Sequence, residues 1–584
     1  MVDTDMTVAP RTPPAASDAT AELRYEAEPL IAEEWGAEPG SVISSDRDDS
    51  SQMTKSSWHL FILTFGMGGV QVIWSVQHAN GSPYLLSLGM SKALLAWVWV
   101  AGPLTGTIVQ PYIGIRSDNC RSRWGRRKPF IAIGGATTVI CLLALAWVRE
   151  LTGSIFAVFG ADHESDTVKS ASIIGAIILM YCHDFGINTV QAAMRAYIVD
   201  NAPWHQQKSA NAWASRVSEA ASILSYAFGY MNLPEIFPIL GKTQFQVISV
   251  IGSFCLIGSL LVSCIFIEEQ RTHDKPRAAV RLSTMNSFGM IWKSARHLPP
   301  QIKKVFAIQF ASWFGWFPFL FYITTYIGQL YVNPIFDKHP GLSNGEIDKT
   351  WSEATRIATS AYFLNAVVAF VGSLVLPLMV VAPSQKAFKA STSGSPLQSP
   401  QPTSSYGPFL QNSLYVLRKL RIPGLTLRRL WLFSHFLFAV CMFSTVFISS
   451  PGIAALMIAI VGIPWMVTSW APYAFIATEL AQHNGEPRNS RESIEESIRR
   501  PSHAYDDGDT NGIGEAGVVL GLHNVFISFP QMVSSLLSSI IFKALQKPRG
   551  QPFDNSVAWV MRVGGCAALV AGLLTIPLQD RTAE

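Results

Sequence analysis

Charge is scarce in this sequence. Asp, Glu, Lys and Arg make up 14% of its 584 residues, against about 25% in an ordinary soluble protein. A soluble chain of this length would form three or four domains, and so little charge could not cover their cores. Cysteine is sparse too: of 7 Cys, all but Cys120 fall inside apolar stretches, so a disulfide framework is not expected. No nucleophile–base pair, metal-ligand cluster or phosphate loop stands out, and the 12 His are scattered. The chain is therefore not expected to be an enzyme or to need a catalytic residue, cofactor or metal. Nucleic acid is not an expected partner.

What is present is apolar: 49% of the residues, with 33 Phe and 17 Trp. Residues 1–57 differ, with 12 acidic and 4 basic residues and no apolar run, which reads as a disordered, acidic cytosolic tail. From Trp58 onward, apolar stretches of about 20 residues recur, the length that crosses a ~30 Å hydrocarbon layer as a helix. They lie near 58–80, 93–115, 129–149, 171–199, 210–232, 245–267, 304–330, 357–382, 429–449, 452–481, 516–543 and 557–578. The expected fold is an all-α membrane protein of twelve transmembrane helices in two six-helix halves, 58–267 and 304–578. A cytosolic linker, 268–303, joins them, and 579–584 is a short tail.

Charge sets the orientation. With the N-terminus cytosolic, loops on that side hold about 26 Lys/Arg and opposite loops about 10, so both termini are expected inside. Loop 383–428 begins with a Ser/Pro/Gln/Thr-rich stretch, and loop 483–514 mixes both charges, as solvated cytosolic loops do.

An ionisable group at membrane depth is costly and marks a functional candidate. The fourth span, HDFGINTVQAAMRAYIVD, has Asp184 near its middle, with Asn188, Gln191 and Arg195 at offsets of 4, 7 and 11. These offsets put all four on one helical stripe, about 16 Å long at 1.5 Å per residue, too long for a direct Asp184–Arg195 pair. A lone carboxyl there suits proton loading and release; interhelical hydrogen bonding is the plainer use of the amides. Asp200, on the other side near the cytosolic end, reads as a loop-facing charge. In the first span Gln71, Trp74, Gln77 and His78 form a second polar stripe. Amides with an indole suit a neutral polyhydroxyl ligand. The seventh span, WFGWFPFLFYITTYIGQLY, adds Trp316 and Tyr322 as candidate sugar contacts, with packing as the commoner role of such rings. The tenth span, GIPWMVTSWAPYAF, has prolines where a rocking bundle would bend.

These motifs resemble those of a known family. GVQVIWSVQHANGSPYLLSLGM (Gly69–Met90) is similar to the first span of the sucrose/proton symporters, and SDNCRSRWGRRKPFI (Ser117–Ile131) to their loop after the second span. HDFGINTVQAAMRAYIVD resembles their fourth-span pattern L-D-x-x-N-N-x-x-Q-G-P-x-R-A-L-x-A-D, and WFGWFPF, GIPW and GLHNVFISFPQM match further on. The resemblance implies the glycoside–pentoside–hexuronide branch of the major facilitator superfamily, in its fungal α-glucoside or sucrose group. It implies that Asp184 is the proton and sugar site and that Arg195 takes part in substrate binding or coupling. It makes Asp118, Arg123, Arg126 and Arg127 a cytosolic gate, although the arginines also serve as positive-inside anchors. One departure stands out: plant members read F-D-T-D-W-M-G-R-E in the seventh span, where Tyr322–Leu330 here lacks both acids, the Arg and the Glu.

The expected function is uptake of a disaccharide (sucrose, maltose or a related α-glucoside) with a proton, by a monomer in the lipid bilayer, at the plasma membrane. The alternatives are an uncoupled facilitator, which the missing seventh-span charges favour, and a non-transporting sugar sensor that signals through the two long loops.

Overall fold

A computed structural model describes residues 54–118, 120–160, 162, 165–203, 206–269, 298–380, 422–485 and 511–579. Most of the acidic tail, the linker and the two long loops lies outside these residues, as does most of the short tail. The described residues are helical and contain no strand.

Hydroxyl side chains sit where the apolar runs begin and accept the first free amides, as helix N-caps do. Ser56, Ser91, Ser165 and Thr426 each cap a helix in this way. Thr243 with Gln246 and Ser343 with Glu346 form complete capping boxes. The first span is α1 (Ser57–Val76), a five-residue π-helical turn (Gln77–Gly81) and α2 (Ser82–Ser87). The second begins with α3 (Lys92–Val98), breaks at Trp99, and continues as α4 (Ala101–Asp118). The third is α5 (Lys128–Ala146), extended by α6 (Val148–Val158). Then follow α7 (Asp166–Asn201), α8 (Gln207–Tyr230), the short α9 (Leu233–Ile236) and α10 (Gln244–Phe266). The second half comprises α11 (Pro300–Lys338), α12 (Asn344–Met379), α13 (Leu427–Ser444), α14 (Pro451–Gly485), α15 (Asn511–Leu545) and α16 (Ser556–Thr575). Both α11 and α14 continue through two internal prolines.

Eleven of the described helical segments are long and apolar enough to cross a membrane, rather than the expected twelve. The missing segment is the expected fifth span, now α8. Its 24 residues are long enough, but Gln207, Asn211, Arg216 and Glu219 dilute its apolar content. Helix α8 is nevertheless packed between neighbours: Val217 lies over Gly68 of α1, and Tyr226 stacks on Tyr362 of α12 at 5.0 Å.

Within each half, glycine lets helix backbones touch. A Cβ at Gly186 of α7 would lie 2.9 Å from the Thr138 amide nitrogen and 3.1 Å from the Gly134 carbonyl of α5. A Cβ at Gly315 of α11 would lie 2.6 Å from the Gly564 carbonyl of α16. Backbone cannot swing aside as a side chain can, so Gly186→Val is expected to cost about 1–3 kcal/mol or more. The expected outcome is a melting temperature several degrees lower for the purified full chain. Gly258→Val is the control, because nothing lies within 4 Å of that position, and it should melt like the wild type.

Candidate functional site

Asp184 lies midway along α7 with a relative exposure of 0%. One carboxylate oxygen is answered: Gln77 Nε2 donates to Oδ1 at 2.8 Å, and His183 Nδ1 lies 3.4 Å from the same atom. The other, Oδ2, is buried with no hydrogen-bond partner. It faces Gly102 of α4, where an added Cβ would come within 3.7 Å of it. One turn further along α7, Asn188 donates from Nδ2 to the Thr105 hydroxyl at 3.0 Å and accepts at Oδ1 from Gln110 Nε2 at 2.8 Å. Its second Nδ2 contact, at 2.9 Å, goes to the Asp184 carbonyl. Gly106 gives it room, since a Cβ there would sit 3.4 Å from Oδ1. Helix α4 therefore has glycine where α7 presents its polar side chains.

Below these, Gln191 Oε1 accepts from Trp74 Nε1 at 3.0 Å, and Trp74 stacks on His78 at 6.0 Å. Gln71 is half-buried one turn earlier on α1. At the end of the stripe, Arg195 is within electrostatic reach of Tyr473 of α14, in the other half. The structure thus joins Asp184, Asn188, Gln191, Gln77 and Trp74 in two hydrogen-bonded sets along α7, Gln77–Asp184–Asn188 and Trp74–Gln191. Three buried polar atoms among these residues and the neighbouring His183 stay unmatched: Asp184 Oδ2, Gln77 Oε1 and His183 Nε2. Native interiors leave few such atoms, and a hydroxyl-rich ligand, water or a proton would satisfy them.

Trp316 and Tyr322 sit in the second half. Trp316 packs against Phe438 at 4.1 Å and Trp465 at 5.2 Å, and Tyr322 meets Phe542 edge-on at 5.1 Å.

The π-helical turn connects Gln77 with the seam between the halves. Ser82, which follows that turn, accepts from Trp99 Nε1 at 2.9 Å and donates to the Phe321 carbonyl of α11. His78 and Trp99 pack on the Phe321 ring at 5.2 and 4.5 Å. Further toward that end, Lys92 pairs with Asp554 at 2.5 Å and Ser539 donates to the Ala93 carbonyl at 2.8 Å, so the halves are closed together there.

At the opposite end, Arg126 and Arg127 both pair with Asp200, at 2.8 and 2.7 Å. Their amides donate to Glu269 at 2.8 and 2.9 Å. Asp200 thus faces the loop, and in doing so anchors its arginines. The loop reaches back to α7 and to the chain leaving α10, a tertiary pairing that spacing along one helix does not show. Arg123 is exposed, and Asp118 closes α4. Sequence reasoning also passed over Thr105 and Gln110; the small-residue pair Gly102 and Gly106, four apart, with a deep amide one turn on, is the signal that marks them.

Residues 62–333 match the model of the MFS/sugar transport protein family. The chain is 33% identical over 577 residues to the general alpha-glucoside permease of Schizosaccharomyces pombe, covering 91% of this chain and 96% of that protein. It is 29% identical over 322 residues to a sucrose transport protein of Oryza sativa subsp. japonica, covering 52% of this chain and 57% of that one. A solved D-xylose-proton symporter has the same fold, with a TM-score of 0.50 at 13% identity, covering 91% of this chain and 100% of that one. Fold and relatives together define an integral, multi-pass membrane transporter, not an enzyme. The chain belongs to the MFS/sugar transport family of the major facilitator superfamily, and its substrate class is sugar.

Gln77→Leu removes the one strong donor to the Asp184 carboxylate and puts an apolar group beside it. Transport per folded transporter is expected to fall at least tenfold, a transition-state loss of about 1.4 kcal/mol or more, and the melting temperature to fall by a few degrees, because the buried carboxylate loses its donor. Flux and thermal unfolding measured on the same preparation check it.

Proposed function

We propose that this transporter moves a disaccharide (sucrose, maltose or a related α-glucoside) together with a proton, and that Asp184 is the group that carries the proton. The observation that carries the reading is the asymmetry of that carboxyl: Oδ1 is held by Gln77, and Oδ2 is buried without a partner. A buried carboxylate oxygen with no donor is costly, and protonation is the simplest event that relieves it. Gln71, Trp74, Asn188, Gln191 and Arg195 are the proposed sugar contacts, with Gln77 shared between sugar and carboxyl. Trp316 and Tyr322 are proposed as second-half contacts that would need rearrangement to reach the same ligand. Asp118, Arg123, Arg126 and Arg127 form the proposed cytosolic gate, with the pairs to Asp200 holding it to the first half. The names of the relatives, an alpha-glucoside permease and sucrose transport proteins, support the substrate class. A monomer in the plasma membrane with both termini cytosolic completes the reading.

One proton entering across about 100 mV supplies roughly 2.3 kcal/mol, equivalent to roughly fifty-fold accumulation of a neutral sugar. Full-length protein in proteoliposomes should take up protons when sucrose or maltose is added outside, and should concentrate the labelled sugar under an imposed pH gradient. Asp184→Asn should lose concentration while keeping counterflow. Uphill accumulation by Asp184→Asn equal to wild type would remove Asp184 from coupling. A wild type that shows counterflow but never accumulates would be a facilitator, as the uncharged stretch Tyr322–Leu330 would allow.

A further inference from the structure

Where the halves close, at the end that carries the α2–α3 turn and the connection from α15 to α16, lies a cavity of about 410 Å³ that the Asp184 group does not line. Its walls include Gln329 and Asn333 of α11, Trp351 of α12, and Gln546, Arg549 and Gln551 beyond α15. Gln329 is eight residues past Phe321, about 12 Å further along α11 at 1.5 Å per residue. The Ser82 contact to the Phe321 carbonyl therefore lies between this cavity and the carboxyl site.

Of the charges on the cavity wall, Lys92, Asp554 and Arg549 are held in ion pairs. Lys92 meets Asp554, and Arg549 meets Asp348 while its guanidinium lies 6.0 Å from the centre of the Trp351 ring. Lys547 turns its ammonium to the Pro552 carbonyl at 3.4 Å. Burial alone would raise the Asp554 pKa, but the Lys92 ammonium and hydrogen bonds from Lys92, Ser556 and the Lys547 amide outweigh it, holding the carboxyl below its usual range. The pair therefore stays charged at mildly acidic pH.

The amides are oriented rather than spent. Gln546 Oε1 accepts from the Lys92 amide at 2.9 Å, and Asn333 Oδ1 accepts from the Phe553 amide at 3.0 Å. Each has its oxygen fixed and its NH2 left to donate. Gln329 is 4% exposed, lines the cavity, and makes no side-chain hydrogen bond among the described residues. Trp351 Nε1 donates to the Arg549 carbonyl at 3.4 Å, so the indole offers the cavity its carbon surface. An anion would need a buried cation, whereas Lys547, which has no acidic partner among the described residues, is exposed and turned to the Pro552 carbonyl; an apolar ligand would leave Gln329 unmatched. A neutral polyhydroxyl ligand satisfies NH2 donors with its oxygens and covers an indole with its C–H faces. The volume lies within the ~300–1,000 Å³ of small-molecule sites.

We propose that this cavity is a second, outer docking site for a neutral disaccharide. The proposal rests on the substrate class given above. Both halves line the cavity, so it exists only while the Lys92–Asp554 end is closed, and opening that end would free the sugar beside the path to Asp184.

The test uses the full chain in lipid nanodiscs with Gln551→Cys and a maleimide reagent, alkylation at that position being read by peptide mass spectrometry. Sucrose or maltose at about ten times a millimolar dissociation constant should slow alkylation at least about threefold, and betaine of equal osmolality should not. Trp351→Ala and Gln329→Leu should each abolish the slowing, and Asp184→Asn should keep it. Absence of slowing by both sugars overturns the proposal. So does slowing that disappears with Asp184→Asn yet survives Trp351→Ala, since it would then report the carboxyl site. Failure of sucrose and maltose flux in proteoliposomes would sink the transported-substrate reading alone, because the alkylation readout requires no transport.

Discussion

A carboxylate in the middle of an apolar bundle has to be answered by donors, and the first half of this protein is arranged around the short hydrogen bond that answers Asp184. Gln77 supplies it across a helix interface at 2.8 Å. For that amide to reach, α1 must lie close on α7, and α4 must leave room beside both. The room comes from Gly102 and Gly106, which hold no side chain against Asp184 Oδ2 and Asn188 Oδ1. Backbone contact between Gly134 and Gly186 sets the other side of α7 at a fixed distance from α5. Side chains that would ordinarily fill a core are therefore missing at the places where the polar stripe needs clearance. In a bilayer, where lipid is as apolar as leucine, such close backbone packing and interhelical hydrogen bonds supply much of the association energy.

The same donor sits at a structural junction. Gln77 is the first residue of the π-helical turn, and Ser82, which joins the Trp99 indole to the Phe321 carbonyl, follows the last. One π-helical turn thus separates the amide on the carboxyl from the contact that closes one half on the other. π-helical turns interrupt the regular ladder and recur at functional sites. Here the turn also places Gly81 within 2.7 Å, measured to an added Cβ, of the Trp99 ring. A shift of Gln77 along α1 therefore moves a seam residue with little slack to absorb it.

Much of the stripe was legible in the sequence because it lies on a single helix. Offsets of 4 and 7 fix Asp184, Asn188 and Gln191 to one face whatever surrounds them, and apolar runs of about 20 residues fix where the helices lie. What escaped was the partner of each group. Thr105 and Gln110 bind Asn188 from another helix, and Asp200 and Glu269 bind the arginine loop from residues far along the chain. No periodicity within one segment records a contact between two. Gln77 shows the limit most plainly: its position on a polar face was readable, but its assignment to a carboxylate rather than to free solvent or sugar depends on how α1 meets α7. The count of apolar helices, eleven among the described residues against twelve expected spans, differs for another reason. Helix α8 has one face packed on α1 and α12 and another that exposes Leu224 and Phe228, so an average over its residues understates its place in the bundle.

The chemistry of the amide gives the Asp184–Gln77 contact two possible senses. An ionised carboxylate only accepts, and Gln77 Nε2 donates to it in the arrangement seen. A neutral carboxyl can donate, and the acceptor beside it is Gln77 Oε1, which is buried and unmatched. The side chain that meets the charged form thus also holds the atom suited to the neutral form, at the price of turning over or shifting on the π-helical turn. A leucine or methionine at this position would pack as well and do neither. Gln77 also stands in a sequence patch rich in small and polar residues, Gln77-His-Ala-Asn-Gly-Ser82, which can change local helical winding more readily than a run of leucines. On the proposed reading, in which Asp184 takes up the proton, the carboxyl stands on a rigid helix and the amide that reads it on a yielding turn that leads to the seam between the halves.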